Sequence, residues 1–168
     1  MTGPPLVLWD TPGVPKRDRS RAAYKVSLQT VAACPTAVVA QATTWEEFPR
    51  IWARLLDDVY AFLRGGGVAQ DGQNVMLYRD DVPNLEVGVQ VAGPFRPAGR
   101  VIPSCLPAGQ VATTVHRGPY DELDAPHQAV RAGCAARGHR IQGTRWEIYD
   151  GWRDDPAELE TQVSYLVR

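Results

Sequence analysis

The sequence has few cysteines, and their arrangement argues against two kinds of site. The 168-residue chain contains Cys34, Cys105 and Cys134, an odd number of cysteines that lie far apart and lack CxxC spacing. A disulfide framework needs pairs, and a structural zinc site needs closely spaced ligands. We therefore expect three small buried thiols in a reducing compartment, and neither a metal nor another cofactor.

An excess of charge of either sign is also missing. Eighteen Lys and Arg residues face nineteen Asp and Glu residues, which gives a net charge of -1. No overall field would attract this chain to nucleic acid or to a membrane, so a partner must be recognised locally. The run PPLVLW is shorter than a signal-peptide core, and no stretch approaches transmembrane length. The sequence predicts a cytoplasmic protein without direct nucleic acid binding or membrane binding.

The chain is long enough, with 44% hydrophobic residues, to bury a core of ordinary size. Residues 1–22 differ from the remainder, because they contain four prolines and a basic cluster between Lys16 and Arg21 without apolar periodicity. We interpret them as an extended, solvated N-terminal arm. Since 22 residues are too few for a helix-turn-helix, we expect no DNA-binding domain before residue 23.

From Tyr24 onward the sequence consists of two similar halves. Each half has a strand pair, a helix that ends at glycine, and a second strand pair. Tyr78 and Tyr149 are 71 residues apart, Pro35 and Pro107 are 72 apart, and Pro83 and Pro156 are 73 apart, which indicates an internal duplication. The predicted fold is α+β: one domain over residues 23–168, made of two β-α-β-β modules (23–93 and 94–168) with neighbouring sheets and a central cleft between the halves.

Two helices are expected, one in each half. In the first, apolar residues recur at steps of three and four between Phe48 and Leu63, and the glycines at 65–67 supply its end. The second helix is weaker, with few apolar positions before Gly138. Both helices are expected to lie on one side of the sheets, which leaves the other side to the cleft.

The segment RWEIY has the alternation of a strand. Arg145, Glu147 and Tyr149 lie on one face, and Trp146 and Ile148 lie on the other. We expect Trp146 and Ile148 to form a core layer under the helices. Glu147 and Tyr149 then point either into water, the simpler interpretation of the strand alone, or into the cleft, which the duplication favours.

Four tyrosines converge on the predicted cleft face. Tyr149 stands beside Glu147, Tyr165 lies on the last strand, Tyr120 lies at the start of the second helix, and Tyr78 is the duplicate of Tyr149. Phenol rings desolvate a carboxylate and raise its pKa, but ring faces and a carboxylate together attract an organic cation. We therefore predict a ligand site with Glu147 as the countercharge and these tyrosines as the lining.

Three segments of the second half resemble a known family. HRGPYDEL, the E-x-Y of RWEIY and the closing ELET-x-V are similar, in order and spacing, to the GyrI-like small-molecule-binding family. This family shares its domain with the effector-binding regions of AraC-type and MerR-type multidrug regulators. The resemblance implies a stand-alone member with a central drug-binding cleft, a cation-facing glutamate at Glu147, and pocket aromatics at Tyr149, Tyr120 and Tyr165.

Two histidines lie near these motifs. His127 stands where the family more often has an aromatic or large residue, and this departure concerns the packing of the second helix and the volume of the pocket. His116 is interpreted as a structural hydrogen-bonding residue near the start of that helix.

Three functions are consistent with the sequence and the resemblance. The first is sequestration or sensing of lipophilic, often cationic, multidrug-type ligands, which would serve drug resistance. The second is hydrolysis of strained electrophilic natural products, with Glu147 and Tyr149 as the catalytic residues, although no Ser/His/Asp set is visible. The third is a protein interaction with DNA gyrase, from which the family takes its name. We rank ligand binding first.

Overall fold

The computed structural model describes residues 23–168, so the predicted arm at residues 1–22 lies outside the described residues. The elements in chain order are β1 (Ser27–Val31), β2 (Cys34–Ala42), α1 (Phe48–Arg64), β3 (Gln70–Tyr78), β4 (Asn84–Val91), β5 (Val101–Leu106), β6 (Gly109–Arg117), α2 (Asp124–Arg137), β7 (Ile141–Tyr149) and β8 (Glu160–Val167). This composition confirms the α+β class and the presence of one helix in each half.

The duplication is visible in the order of the elements. Each half has two strands, a helix and two further strands, and β3 and β7 begin 71 positions apart, as the tyrosine spacing predicted. The spacing is 75 positions for β2 and β6 and 76 for β4 and β8. Pro35 and Pro107 are therefore not equivalent: Pro35 lies inside β2, whereas Pro107 precedes β6. The halves differ because α1 is longer than α2 and the connection before β8 is longer than that before β4.

The strands form one antiparallel sheet in the order β1-β6-β8-β7-β3-β4-β2-β5. The expected pair of neighbouring sheets is thus a single sheet, because β3 and β7 pair directly at its centre. The outermost strands are exchanged: β1 of the first half pairs with β6, and β5 of the second half pairs with β2. Each half of the sheet is therefore completed by a strand from the other half.

The connections between strands require this sheet to curl. β1 and β2 are six strand positions apart in the sheet, but only two residues separate them in sequence. Six strand spacings amount to roughly 29 Å in a flat sheet, whereas the connection reaches about 11 Å. The two edges must therefore approach each other. The inside of the curl is filled by a core cluster of Val75, Leu77, Leu106, Val111 and Trp146.

Both helices pack on the outer face of the curled sheet. The helix α1 begins at Phe48 and packs on the alternating valines of β4, and α2 packs on β6 and β8 through Val130 and Cys134. The glycine at the end of α2, Gly138, has the left-handed conformation (φ 72°) that stops a helix. Neither helix in residues 23–168 is long and apolar enough to cross a membrane.

The helices lie on the face of the sheet opposite to the one that the sequence predicted. Trp146 is a core residue, as predicted, but it belongs to the inner cluster on the side away from the helices. Glu147 and Tyr149 point to the opposite side and share it with α1 and α2. The cleft therefore lies on the face that carries the helices, because the sheet closes its other face by curling on itself.

Candidate ligand-binding site

A cleft above the central strands separates α1 from the segment that precedes α2. Its first wall consists of Phe48, Trp52 and Leu56 on α1, and its second wall contains Tyr120 and Leu123. The space measures about 560 Å³ when the part open to solvent is included. Each half of the chain thus supplies one wall, as predicted for a cleft between the two modules.

The floor of the cleft comes from β3, β4 and β7. Met76, Val87 and Tyr149 are apolar or aromatic floor residues, and Asn74 contributes an amide. The rings of Tyr120 and Tyr149 meet edge to face with their centroids 5.4 Å apart. The surface offered to a ligand is therefore mainly hydrocarbon and aromatic, with few groups that demand a directional hydrogen bond.

Glu147 lies next to this floor, and its side chain is almost completely buried. The residue is 2% exposed, and Tyr149, which lines the cleft, donates its hydroxyl hydrogen to Glu147 Oε2. The Tyr78 hydroxyl donates to the same oxygen at 3.1 Å. His127 Nε2 lies 2.6 Å from the other oxygen, Oε1. The interpretation that Glu147 points into water is therefore wrong.

The hydrogen bonds to Glu147 change its acidity in the direction opposite to burial. Burial raises the pKa of the carboxyl group, but the hydrogen bond and charge of His127 and the hydroxyls of Tyr149 and Tyr78 outweigh it, and the pKa lies below its usual value. The expected increase in the pKa from desolvation is thus overcome. Burial, followed by the charge of Glu147, holds the pKa of Tyr78 and of Tyr149 well above the usual value. Both phenols remain donors to an ionised carboxylate.

Tyr165 belongs to the same network through His127. The Tyr165 hydroxyl lies 2.8 Å from His127 Nδ1, and its ring is buried. Both nitrogens of the imidazole are therefore engaged, one with Glu147 and the other with Tyr165. Because a carboxylate only accepts hydrogen bonds, Nε2 must carry a hydrogen.

Arg145 is a site residue whose role the sequence did not reveal. It is 6% exposed, and its guanidinium carbon lies 5.1 Å from the ring centroid of Tyr78, 5.8 Å from that of Trp45 and 6.0 Å from that of Tyr165. One nitrogen contacts Asp81 at 2.7 Å. The strand alternation did place Arg145 on the face of Glu147, but no sequence signal indicated that three rings would surround it.

The five predicted ligand residues thus occupy two layers. Tyr120 and Tyr149 line the cleft, whereas Glu147, Tyr78 and Tyr165 form a buried polar layer beside it. Their contact with a ligand stays a prediction. The aromatic residues on α1, which were interpreted only as the core face of the helix, complete the cleft wall.

His116 has the structural role that the sequence predicted. Its Nδ1 lies 2.8 Å from the Tyr24 hydroxyl, and its Nε2 lies 3.1 Å from the Pro119 carbonyl oxygen. These two bonds join the segment before β1 to the turn that precedes α2. His116 therefore supports the second wall of the cleft without lining it.

Comparison with known proteins gives structural neighbours only. No family model and no curated protein matches the sequence. The crystal structure of the EcmrR C-terminal domain has a TM-score of 0.75 at 20% identity over 86% of this chain and 98% of that one. SAV2435 bound to tetraphenylphosphonium has a TM-score of 0.63 at 11% identity over 86% and 94%. A hydrolase from Listeria innocua has a TM-score of 0.55 at 13% identity over 86% and 92%.

These neighbours agree with the resemblance found in the sequence motifs. Residues 23–168 share an α+β fold with these solved structures, with eight antiparallel strands and two helices, and this is the fold that the resemblance to the GyrI-like family implies.

Proposed function

We propose that this protein binds lipophilic, often cationic, small molecules in the cleft, and that Glu147 supplies the countercharge. The observation that carries the proposal is the contact between Tyr149 and Glu147. The ring of Tyr149 forms part of the apolar floor, while its hydroxyl donates to a buried carboxylate whose pKa lies below the usual value. The ring of Tyr149 therefore separates the negative charge of Glu147 from the space of the cleft.

This arrangement suits cations with a large apolar surface. A cation against Tyr120 and Tyr149 would be attracted by the ring faces and, through Tyr149, by the charge of Glu147. The attraction is stronger in a buried site than in water, because the effective dielectric is lower. Few directional hydrogen bonds are required, so ligands of different shape would be accepted. The neighbouring structure with tetraphenylphosphonium, itself a lipophilic cation, supports this ligand class.

The proposal is tested with tetraphenylphosphonium and with triphenylphosphine oxide, a neutral analogue. Both are titrated by calorimetry into the wild type, Glu147→Gln and Asp57→Asn. Asp57 is exposed on α1, so its substitution removes an equal charge away from the cleft. We expect Glu147→Gln to weaken binding of the cation by roughly tenfold, with little change for the neutral compound, and Asp57→Asn to change neither. Equal cation affinity in the wild type and Glu147→Gln would remove the countercharge role.

Hydrolysis is the second candidate function, and the adjacency of His127 and Glu147 beside the cleft is the observation in its favour. A structural neighbour described as a hydrolase adds support. However, Glu147 already accepts from two phenols and contacts His127, and both nitrogens of His127 are engaged. A water molecule would have to displace one of these partners before either residue acted as a base. Incubation with a cyclopropane-bearing electrophile, followed by mass spectrometry, decides: multiple turnovers that Glu147→Gln abolishes would establish an enzyme, and stoichiometric binding without product would exclude one.

A further inference from the structure

His127 is a polar residue of the site that the proposed binding function leaves without a role. It lies on the first half of α2, between the buried carboxylate of Glu147 on β7 and the buried phenol of Tyr165 on β8. The Nε2 to Oε1 distance of 2.6 Å is that of a short, charge-assisted hydrogen bond. Among the hydrogen-bond partners of Glu147 in residues 23–168, His127 is the side chain that can be either a neutral ring or a cation.

We infer that His127 determines the charge preference of the cleft: neutral His127 leaves Glu147 as a net negative charge, and protonated His127 cancels it before a ligand arrives. This inference rests on the proposed binding function and concerns the same site. A permanently charged cation is then attracted by Glu147 only when His127 is neutral, because the proton on His127 neutralises the same carboxylate. A neutral lipophilic ligand, which relies on the apolar walls, is indifferent to that proton.

The remaining partners of Glu147 cannot produce the same effect. Burial raises the pKa of Glu147, but the hydrogen bond and charge of His127 and the hydroxyls of Tyr149 and Tyr78 outweigh it. Burial, followed by the charge of Glu147, holds the pKa of Tyr78 and that of Tyr149 well above the usual value. The two phenols therefore stay neutral between about pH 5.5 and 8, and both donate to Glu147 whichever charge His127 carries. The charge of this network therefore depends on whether the His127 ring carries one hydrogen or two.

Other charged or titratable groups surround His127. One helical turn on either side are Asp124, which accepts a hydrogen bond from Gln128 at 2.6 Å, and Arg131, whose guanidinium carbon lies 5.7 Å from the Tyr165 ring. On β7, Arg145 lies 6.0 Å from the same ring. A substitution of His127 leaves all three of these side chains in place.

A second imidazole faces α2 from the sheet. His116 on β6 is buried between the Tyr24 hydroxyl and the Pro119 carbonyl. It makes no hydrogen bond to Glu147 or to the Tyr165 hydroxyl. The experiment must therefore assign the titration to one imidazole.

The first experiment needs no substitution. Calorimetric titrations of the wild type with tetraphenylphosphonium and triphenylphosphine oxide are performed at steps from about pH 5.5 to pH 8. We expect the affinity for the cation to increase roughly tenfold over this range and that for the neutral compound to stay constant. By linkage, binding of the cation must release protons in the pH interval where the affinity changes. The number of protons released is measured from the dependence of the binding enthalpy on the ionisation enthalpy of the buffer. A cation affinity that does not change with pH overturns the inference.

The second experiment assigns the proton. His127→Gln keeps a hydrogen-bond donor towards Glu147 but cannot be protonated, and His139→Gln, in the connection between α2 and β7, is the matched control. We expect His127→Gln to bind the cation at pH 5.5 about as tightly as at pH 8, and His139→Gln to keep the wild-type profile. Retention of that profile by a folded His127→Gln overturns the assignment to His127, and so does its loss in His139→Gln. If the wild type does not bind the cation at any tested pH, the proposed function itself fails. If it binds the cation with the same affinity at every pH, only the inference about His127 fails.

Discussion

Glu147 and Met76 are direct partners across the central pair of strands, and they are also equivalent residues of the two halves. The register of β3 and β7 places Met76 opposite Glu147, and the two positions differ by the same 71 residues that separate Tyr78 from Tyr149. The pseudo-twofold axis of the duplicated domain therefore passes between a thioether and a carboxylate. The two halves have the same backbone at this axis but different side chains, so the central pair of strands carries one carboxylate there and not two.

Restoring symmetry with Met76→Glu should make the stability of the protein strongly dependent on pH. Two buried carboxyl groups at adjacent positions cannot both ionise, so the folded-state pKa of one is raised above its unfolded value. A group of this kind contributes stability in acid that is lost as the pH rises. We expect the variant to be destabilised by about 3 kcal/mol at neutral pH and by much less near pH 4, as measured by urea denaturation.

Met76→Leu is the control for this substitution, because it changes shape without adding charge. It should cost less than about 1.5 kcal/mol, by an amount that does not vary with pH. Equal destabilisation by Met76→Glu in acid and at neutral pH would contradict the prediction.

Removal of the Tyr149 hydroxyl should destabilise the ionised form of Glu147. Because the folded-state pKa of Glu147 is lowered, its ionisation contributes stability above its unfolded pKa, and this contribution is lost as the pH falls through the folded pKa. Tyr149→Phe deletes one of the donors responsible. We expect a loss of about 2 kcal/mol at neutral pH that diminishes in acid, where Glu147 is protonated in both proteins.

Tyr120→Phe is the companion variant. It alters the ring that contacts Tyr149 in the cleft, but its hydroxyl is not a donor to Glu147. Chemical denaturation should show no comparable pH-dependent loss. If Tyr120→Phe and Tyr149→Phe lose the same stability at each pH, the effect comes from the cleft wall and not from the carboxylate.

The environment of Arg145 predicts that its contacts with aromatic rings contribute more to the stability of the protein than its ion pair with Asp81. The partner carboxylate on Asp81 has an 82% exposed side chain, whereas Arg145 lies against the Tyr78 and Trp45 rings with only 7% of its own side chain exposed. A surface carboxylate contributes little, but a buried planar cation is poorly replaced by an ammonium group. Asp81→Asn should cost less than about 1 kcal/mol, and Arg145→Lys about 2 kcal/mol, in thermal or urea denaturation. The reverse order would show that the ion pair dominates.

The features that the sequence predicted correctly are those with a local cause. The apolar periodicity from Phe48 and the glycine at 138 predicted both helices, because amphipathic spacing and a left-handed terminus act within a few residues. The alternation through RWEIY correctly separated Trp146 from Glu147. The duplication predicted two halves around one cleft, and the structural neighbours share that fold.

The features that the sequence did not predict depend on long-range pairing. Alternation fixes which residues share a face, but it does not say which face the helices cover. The strand order requires the sheet to curl, and both helices lie on the outer face of the curl. Likewise, His127 and Glu147 are 20 residues apart on different elements, and only the packing of α2 on the sheet brings them within 2.6 Å. The acidity of Glu147 depends on this contact, so desolvation alone predicted the wrong direction.

The pairing of β2 with β4 below α1 supplies a last prediction, at Gly88. A Cβ atom built there would lie 1.9 Å from the Ala37 carbonyl oxygen on β2, a distance at which backbone atoms must move. Gly88→Ala should therefore separate two strands that support α1 and the Val87 floor of the cleft, and should cost more than about 3 kcal/mol. Gly93→Ala, where the added atom meets nothing within 4 Å in residues 23–168, should change stability by less than about 1 kcal/mol. Because Gly88 lies in the middle of β4, Gly88→Ala should lower both the midpoint of urea denaturation and the affinity for tetraphenylphosphonium. An unchanged midpoint would show that the strands move apart at little cost in free energy.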